Sequence, residues 1–279
     1  MDSASAAFVP SWASGVLNDR VWCQLCPNPS AMTLDGTNTW ILQDPGSNEA
    51  IVVDPGPLQE GHLQDVLSVI AERDARVGLI VLTHGHWDHA QSVGRFAELT
   101  GAPVKAAGRP HRNLAHGEVI RAAGLELVVV PTPGHTADSM SLLLPQDNLL
   151  LTGDTVLGRG TTVVSYPDGQ LGAYLESLGR IQALAANGEV TSIAPGHGPT
   201  VPDAAGTVEF YLQHRRQRLD QVRVALAGEA DGTLTRKPGE DKTDFVMRLI
   251  YSDVPRKVWP AARLSVMAQL DYLKAQGND

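Results

Sequence analysis

The chain has 279 residues, 43% of them apolar and 19% charged, with a formal net charge of −9. This is the balance of an ordinary soluble globular protein, long enough for one large domain or for a domain with a smaller companion. No apolar run approaches the roughly 20 residues of a membrane-spanning helix, and the N-terminus has neither the basic start nor the long apolar core of a secretory signal. No membrane partner is therefore expected, and with nothing demanding an oxidising compartment the cytoplasm is the default location.

Residues 1–18 read as a loose lead-in of small and polar side chains. Cys23 and Cys26 follow, spaced as C-x-x-C. Such a pair can be a redox couple or half of a zinc knuckle, but there is no second pair and no strand-to-helix redox turn. A strand residue at Cys23 and an incidental thiol at Cys26 is the simpler reading. From there to about residue 202 strand and helix signals alternate. Short segments rich in Val, Ile and Leu, bounded by Gly, Pro or Asp, predict strands over 39–43, 50–54, 77–82, 103–106, 125–130, 141–144, 148–151 and 190–193. Helices are predicted over 63–72, 90–99 and 173–184. In the first of these Leu63, Val66, Leu67 and Ile70 recur at the spacing of one helical face. Strands with interposed helices point to two sheets covered by helices outside.

A composition break follows Pro195-Gly196-His197-Gly198-Pro199-Thr200-Val201-Pro202. Beyond it helices are predicted over 204–226, 242–250 and 261–276, with a Gly-rich turn after the first and a turn at Ser252-Asp253-Val254-Pro255 between the last two. Three helices with a short Gly-containing connection fit a helix-turn-helix or winged-helix module over 204–279, leaving 19–203 as the main domain. Charge is uneven: residues up to Pro202 carry 10 basic and 20 acidic side chains, those from Asp203 onward 12 and 11. The run His214-Arg215-Arg216-Gln217-Arg218 falls on a predicted helix. It can be read as a contact for phosphates or another anion or as a solvated helix face; the cluster by itself favours the solvated face.

The chemistry is concentrated in Thr83-His84-Gly85-His86-Trp87-Asp88-His89, which directly follows the apolar segment Val77-Gly78-Leu79-Ile80-Val81-Leu82. Three histidines and a carboxylate fall within six positions of a chain that holds nine histidines in all. Imidazole and carboxylate suit zinc, iron or manganese, and four such groups crowded without a cation would set like dipoles and charge against one another. Three more candidates repeat one design, in which a buried strand ends, a Gly or Pro turns the chain, and a ligand points out of the sheet edge. They are His135 in Pro131-Thr132-Pro133-Gly134-His135-Thr136, Asp154 in Leu151-Thr152-Gly153-Asp154-Thr155, and His197 in Ala194-Pro195-Gly196-His197-Gly198-Pro199. The seven divide into two sites: His84, His86 and His135 on one cation, Asp88, His89 and His197 on a second, with Asp154 bridging. Two zinc ions, or manganese or iron in their place, would hold a hydroxide between them and polarise a scissile bond. Asp88 would also orient the water and shuttle its proton. Hydrolysis of a polarised ester, amide, thioester or phosphodiester is expected.

This pattern resembles the metallo-β-lactamase superfamily over residues 21–202. The resemblance implies an αββα sandwich with a dinuclear site at one edge of the two sheets. Val52-Val53-Asp54-Pro55-Gly56 looks like that family's first motif, in which the aspartate supports the ligands without being one. A narrower resemblance, to the β-lactamase-like protein 2 branch, runs through Asn28-Pro29-Ser30-Ala31-Met32-Thr33-Leu34-Asp35-Gly36-Thr37-Asn38-Thr39-Trp40, residues 161–172 and Ile250-Tyr251-Ser252-Asp253-Val254-Pro255. It implies a small winged-helix-like C-terminal domain, and in that branch an endoribonuclease acts on single-stranded RNA while some bacterial relatives are glyoxalase II-like. Two departures matter. Ala90-Gln91-Ser92 stands where many relatives have Gly-Gly, and Asp154 at the bridging position argues against a β-lactam substrate.

Three functions compete on this footing: a phosphodiesterase on single-stranded RNA, a thioester or small-ester hydrolase of the glyoxalase II kind, and a nucleic-acid-binding regulator built on the tail. The acidic main domain suits a small substrate, and the arginine-rich tail a polyanion. The loop 156–170 is expected to overhang the metals, with Arg159 and Tyr166 as candidate substrate contacts and loop packing as their plainer role. The tail can equally form a homo-oligomer or cap the substrate.

Overall fold

Period-two alternation of apolar side chains builds two face-to-face sheets. The computed structural model describes residues 12–108, 110–111, 113–252 and 256–277. The first sheet is made of β1 (Gly15–Val16), β2 (Val21–Leu25), β3 (Asn38–Leu42), β4 (Glu49–Val53), β5 (Arg76–Val81) and β6 (Val104–Lys105), hydrogen-bonded in that order. Helix α1 (Glu60–Ala71) makes the crossover between the parallel strands β4 and β5, and α2 (Trp87–Ala90) and α3 (Val93–Thr100) lead from β5 to the parallel β6. The second sheet holds β7 (Val119–Ala122), β8 (Leu125–Pro131), β9 (Met140–Leu144), β10 (Leu149–Gly153) and β11 (Ser192–Pro195), in the order β11-β10-β9-β8-β7, with α4 (Leu171–Ala186) crossing over between the parallel β10 and β11. Three helices end the chain: α5 (Ala204–Ala230), α6 (Lys242–Ile250) and α7 (Trp259–Ala275).

The alternation assigns each side chain to a layer. Trp40, Leu42, Ile51, Val53, Leu79 and Val81 face across to Leu125, Leu127, Val129, Leu142, Leu144, Leu149 and Leu151, forming the core between the sheets. Their neighbours Ile41, Val52 and Ile80 point the other way, onto Leu63, Val66 and Ile70 of α1 and Phe96 of α3. On the far side Leu143, Leu150 and Ile193 meet Tyr174, Leu178 and Ile181 of α4. The same apolar cluster continues without a break into Val208, Tyr211 and Val222 of α5, Phe245 of α6 and Val266 of α7. The result is the expected αββα sandwich, with the C-terminal helices built onto its second helical layer through this shared apolar cluster.

All eight expected strands form, each within a few residues of its expected bounds. Three others do not follow from the apolar pattern. β1 falls inside the expected lead-in and pairs with β2, and Val16 in it is 71% exposed. β2 contains Cys23 and is largely buried. β7 is a half-exposed arm of a hairpin whose turn places Ala123 and Gly124 at positive φ, and alanine at such a position is a weak turn signal. The helix expected over 90–99 is broken because the Ser92 N–H and Oγ–H both donate to the Gly56 carbonyl, at 3.1 and 2.8 Å, so the helical ladder is interrupted there. Helix α6 matches its expected bounds, and α5 runs on to Ala230, capped at its start by Asp203, whose side chain accepts from Gly206 N–H. Of the expected turn at 252–255, residues 253–255 lie outside the described residues. No strand follows β11 among the described residues.

Candidate metal centre

The strand order puts the chemistry at one edge. β4 and β5 run parallel in the first sheet, β8 and β10 run in one direction on either side of the antiparallel β9, and β11 is parallel to β10. Asp54 follows β4, His84 and His86 follow β5, His135 lies in the loop after β8, and Asp154 and His197 follow β10 and β11. Asp88 and His89 sit on the single turn α2. The seven expected ligands therefore converge from strand ends and one short helix. The donor atoms of His84, His86, His135 and Asp154 all lie within 4.8 Å of one another, as do those of Asp88, His89 and His197.

Hydrogen bonds to the rear of the rings fix which nitrogen faces inward. His135 Nδ1–H donates to the Val163 carbonyl at 2.7 Å, and His197 Nδ1–H to the Gly36 carbonyl at 3.0 Å. His89 Nδ1–H donates to Asp54 Oδ2 at 2.9 Å. His84 Nδ1–H donates to Thr83 Oγ1 at 3.0 Å, and that hydroxyl donates onward to the same Asp54 oxygen at 2.6 Å. With each Nδ1 engaged, four Nε2 atoms turn to the centre with lone pairs available, the arrangement of metal-ligating imidazoles. Asp54 also lies within the same 4.8 Å of His84 and His89. However, its Oδ1 accepts from Thr83 N–H at 2.8 Å while Oδ2 serves Thr83 and His89, so its position is that of a support.

The inward atoms fit a cation. His84 Nε2 and Asp154 Oδ1 are buried with no hydrogen-bond partner, which is costly for polar atoms unless something else satisfies them. His89 Nε2 stands 3.2 Å from His197 Nε2, and His135 Nε2 2.9 Å from His86 Nδ1. Asp154 lies between the two groups, with Oδ1 at 3.4 and 3.5 Å from His89 Nε2 and His197 Nε2 and Oδ2 at 3.6 Å from His135 Nε2. Asp88 Oδ2 is 3.3 Å from His197 Nε2. Burial works against charge on His84, His89, His135, His197, Asp88 and Asp154, and on His89, His197 and the two carboxylates the partners outweigh it. Burial would lower His89 and His197, but the Asp154 carboxylate raises His89 well above its ordinary value and lifts His197 to about 9. Burial would raise Asp154, but His197 and His89 hold it well below the usual carboxylate range. For Asp88 burial again pushes upward, and the hydrogen bond with His197 outweighs it and holds the carboxyl low. His84 is pushed well down by burial and then by the charge of His89, and His135 down by burial. The electrostatics thus favour positive charge among the carboxylates. His/Asp side chains are positioned here for a metal site.

Backbone geometry at two glycines is part of the construction. A Cβ on Gly196 would stand 2.6 Å from Asp154 Oδ1 and 2.7 Å from His89 Cε1, so only glycine lets β11 pass behind the ligands. Gly153 has φ +49 and leaves room for Thr83, whose Oγ1 a Cβ would meet at 2.4 Å. Asp54 holds φ +53, a left-handed conformation unusual for a non-glycine residue.

Beside the ligands opens a cleft of about 330 Å³, bounded by Met32 and Leu34, by His135 and Asp154, by the loop 157–163 and by the α5 and α7 helices. Arg159 lines it and is ion-paired with Asp35. Tyr166 does not line it. Its ring is half-buried against the C-terminal helices, with Oη 3.5 Å from Asp271 Oδ1 on α7. The C-x-x-C pair belongs to the packing: both thiols are free and buried, and Cys23 Sγ–H donates to Asn38 Oδ1 at 3.3 Å. Burial pushes both thiols up, Cys26 to about 12. Sequence reasoning passes over Thr83, Asn38 and His62, which carry no metal-ligand spacing. Asn38 Nδ2 donates to the carbonyls of Pro195 and Gly198, at 2.9 and 2.8 Å, tying the two sheets together at the site.

The model of the metallo-beta-lactamase superfamily matches residues 32–125 and 107–197. The chain belongs to that superfamily. A beta-lactamase associated winged helix domain matches residues 243–278, so the superfamily fold here carries a winged-helix module at its C-terminus. The "Beta-lactamase-like protein 2 homolog" of Drosophila melanogaster is 32% identical over 274 residues, covering 90% of this chain and 86% of that protein. The "Atrochrysone carboxyl ACP thioesterase" of Aspergillus fumigatus is 34% identical over 237 residues, covering 79% and 72%. Among solved structures, a metallo-beta-lactamase family protein from Thermus thermophilus matches with a TM-score of 0.73 over 94% of this chain and 95% of that one, at 22% identity, a likeness of fold. The chain is a metallo-β-lactamase-fold hydrolase, and among its described residues no helix is long and apolar enough to cross a membrane.

Proposed function

We propose that this chain is a metal-dependent thioester hydrolase. The observation that carries this reading is the cleft. The ligand set opens into a partly enclosed space of about 330 Å³, the size of a small-molecule site, walled by helices from the C-terminal module and attached to an acidic main domain. That shape suits an acyl group on a narrow thiol carrier better than a polynucleotide, and the similarity to an acyl-carrier-protein thioesterase supports the same class. In this reading His84, His86 and His135 would hold one ion and Asp88, His89 and His197 a second, with the Asp154 carboxylate available to both. Zinc is the first choice for this donor set, with manganese or iron as alternatives. Ions held there would supply an acidified water and a Lewis acid for the thioester carbonyl. The chain's own residues do the rest. Asp54 and Thr83 lock His84 and His89 in one tautomer, Val163 and Gly36 do the same for His135 and His197, and Asp88, held ionised, is placed to orient water and accept its proton. The loop 157–163 and the α5 wall bound the space beside the reacting bond. The cytoplasm suits its buried free thiols.

The test is a side-by-side turnover assay on zinc- and manganese-loaded protein, offering S-lactoylglutathione-type thioesters and labelled single-stranded RNA. Thioester hydrolysis abolished by His86→Ala is expected. RNA cleavage abolished by the same substitution, with thioesters untouched, would overturn the reading in favour of a phosphodiesterase.

A further inference from the structure

The run His214-Arg215-Arg216-Gln217-Arg218 does not behave as one solvated face. Arg216 points outward and approaches Glu209 at 4.0 Å, and Arg223, two turns on, pairs with Asp220 at 2.8 Å. His214, Arg215 and Arg218 instead line the cleft, across from His135 and Asp154. Arg215 is 3% exposed. It stacks over Tyr174 at 4.9 Å and donates from Nη2 to the Thr162 carbonyl at 2.5 Å, while its Nε has no hydrogen-bond partner. Arg218 stacks over Tyr251 at 4.7 Å and donates to the Ile250 carbonyl at 3.0 Å. His214 Nδ1 is buried without a partner. Among the described residues neither Arg215 nor Arg218 has a carboxylate within ion-pair distance. The partners are all neutral: the Thr162 carbonyl and Tyr174, by ring and hydroxyl, for the buried Arg215, and the Ile250 carbonyl, Gln221 Oε1 at 3.1 Å and the Tyr251 ring for the half-buried Arg218. A buried guanidinium with neutral partners alone keeps a full charge, which is costly unless an anion joins it. Arg159, the other cation of the cleft, is already matched by Asp35.

We propose that this wall of α5 is an anion subsite that receives the phosphate or carboxylate borne by the thiol half of the substrate. The proposal rests on the thioester reading for the identity of that substrate. Acyl groups of thioesters vary in charge, whereas biological thiol carriers regularly bear phosphate or carboxylate, and guanidinium is the group best suited to either.

The test compares three thioesters with one acyl group: S-acetyl phosphopantetheine, S-acetyl glutathione and the uncharged S-acetyl N-acetylcysteamine. The wild-type enzyme is expected to prefer at least one anionic thioester over the neutral one by about tenfold or more in kcat/KM, as a charge-assisted contact implies. The preferred one identifies phosphate or carboxylate as the source. Arg218→Gln should raise KM for that thioester by about tenfold with kcat nearly unchanged, leave the neutral one unaffected, and be partly rescued by Arg218→Lys. Equal losses on all three thioesters, or no wild-type preference, would overturn the subsite. If no thioester is hydrolysed at all, the functional reading fails by itself, and calorimetric titration with phosphopantetheine and with glutathione decides the subsite. Binding to wild type that is lost in Arg218→Gln upholds it, and no binding to wild type overturns it. Arg215→Lys provides a second variant inside the same wall.

Discussion

At the scale of single residues the site depends on a buried chain of hydrogen bonds behind the ligands. His62 Nε2–H donates to Thr39 Oγ1 at 2.9 Å, Thr39 donates to the Asp54 carbonyl at 2.7 Å, and the Asp54 carboxylate orders His89 and, through Thr83, His84. Asn tolerates left-handed backbone, so Asp54→Asn keeps the fold while removing the charge behind His89. Metal affinity should drop about 10- to 100-fold, read by competition against a chromophoric chelator; unchanged affinity would show that Asp54 is not a support. His62 itself reports the burial of this chain. Burial lowers it to about 4, so between about pH 6.5 and 4 the unfolded state binds the extra proton and stability is lost as pH falls through that window. The loss amounts to about 3 kcal/mol at most. His62→Asn should flatten this part of the pH dependence in denaturant titrations of the metal-free protein. A difference from wild type that stays constant from pH 7 to 4 would refute the assignment.

At the scale of elements, α4 and α5 hold the loop that covers the site. Tyr174 Oη–H donates to the Thr155 carbonyl at 2.7 Å, Leu157 N–H donates to Tyr211 Oη at 2.9 Å, and Arg215 reaches Thr162. Tyr211→Phe removes one acceptor and leaves a buried N–H unpaired, at a cost of about 1–3 kcal/mol. Denaturant midpoints measure that cost. KM should rise with it, because the same loop carries Val163, on which His135 is aligned. A stable variant with unaltered kinetics would show that the loop is held by other contacts. This is also where sequence reasoning was most limited. The helix pattern of α5 is legible, and its nine buried residues recur at the three- and four-residue steps of one helical face, with Arg215 among them; that Arg215 and Arg218 face the cleft depends on the packing of α4 and α7.

For the whole molecule, one apolar cluster runs from the second sheet through α4 into all three C-terminal helices. Unfolding should therefore appear as a single calorimetric transition, shifted upward by added metal according to its affinity for the folded state. A chain ended at residue 203 would bare Leu178, Ile181 and their neighbours over a wide area and should aggregate. Recovery of a soluble truncated chain with native near-ultraviolet dichroism would show that the helical module is separable.

The clustering of the candidate ligands was legible from residue types alone, because three histidines and an aspartate within six positions have few explanations besides a cation, and strand-end motifs at His135, Asp154 and His197 repeat one local design. The two-sheet architecture was legible because short apolar segments bounded by Gly, Pro or Asp, with helices interposed, fit two sheets covered by helices outside. What only the tertiary structure decided is non-local: the tautomer of each imidazole, set by carbonyls as distant as Gly36 and Val163; the support of Asp54 by His62 and Thr39; the turning of Tyr166 toward α7; and the side of α5 on which Arg215 and Arg218 lie. These depend on contacts between segments far apart in the chain; even for α5, whose buried face has helical spacing, what that face meets is set by elements elsewhere in the sequence.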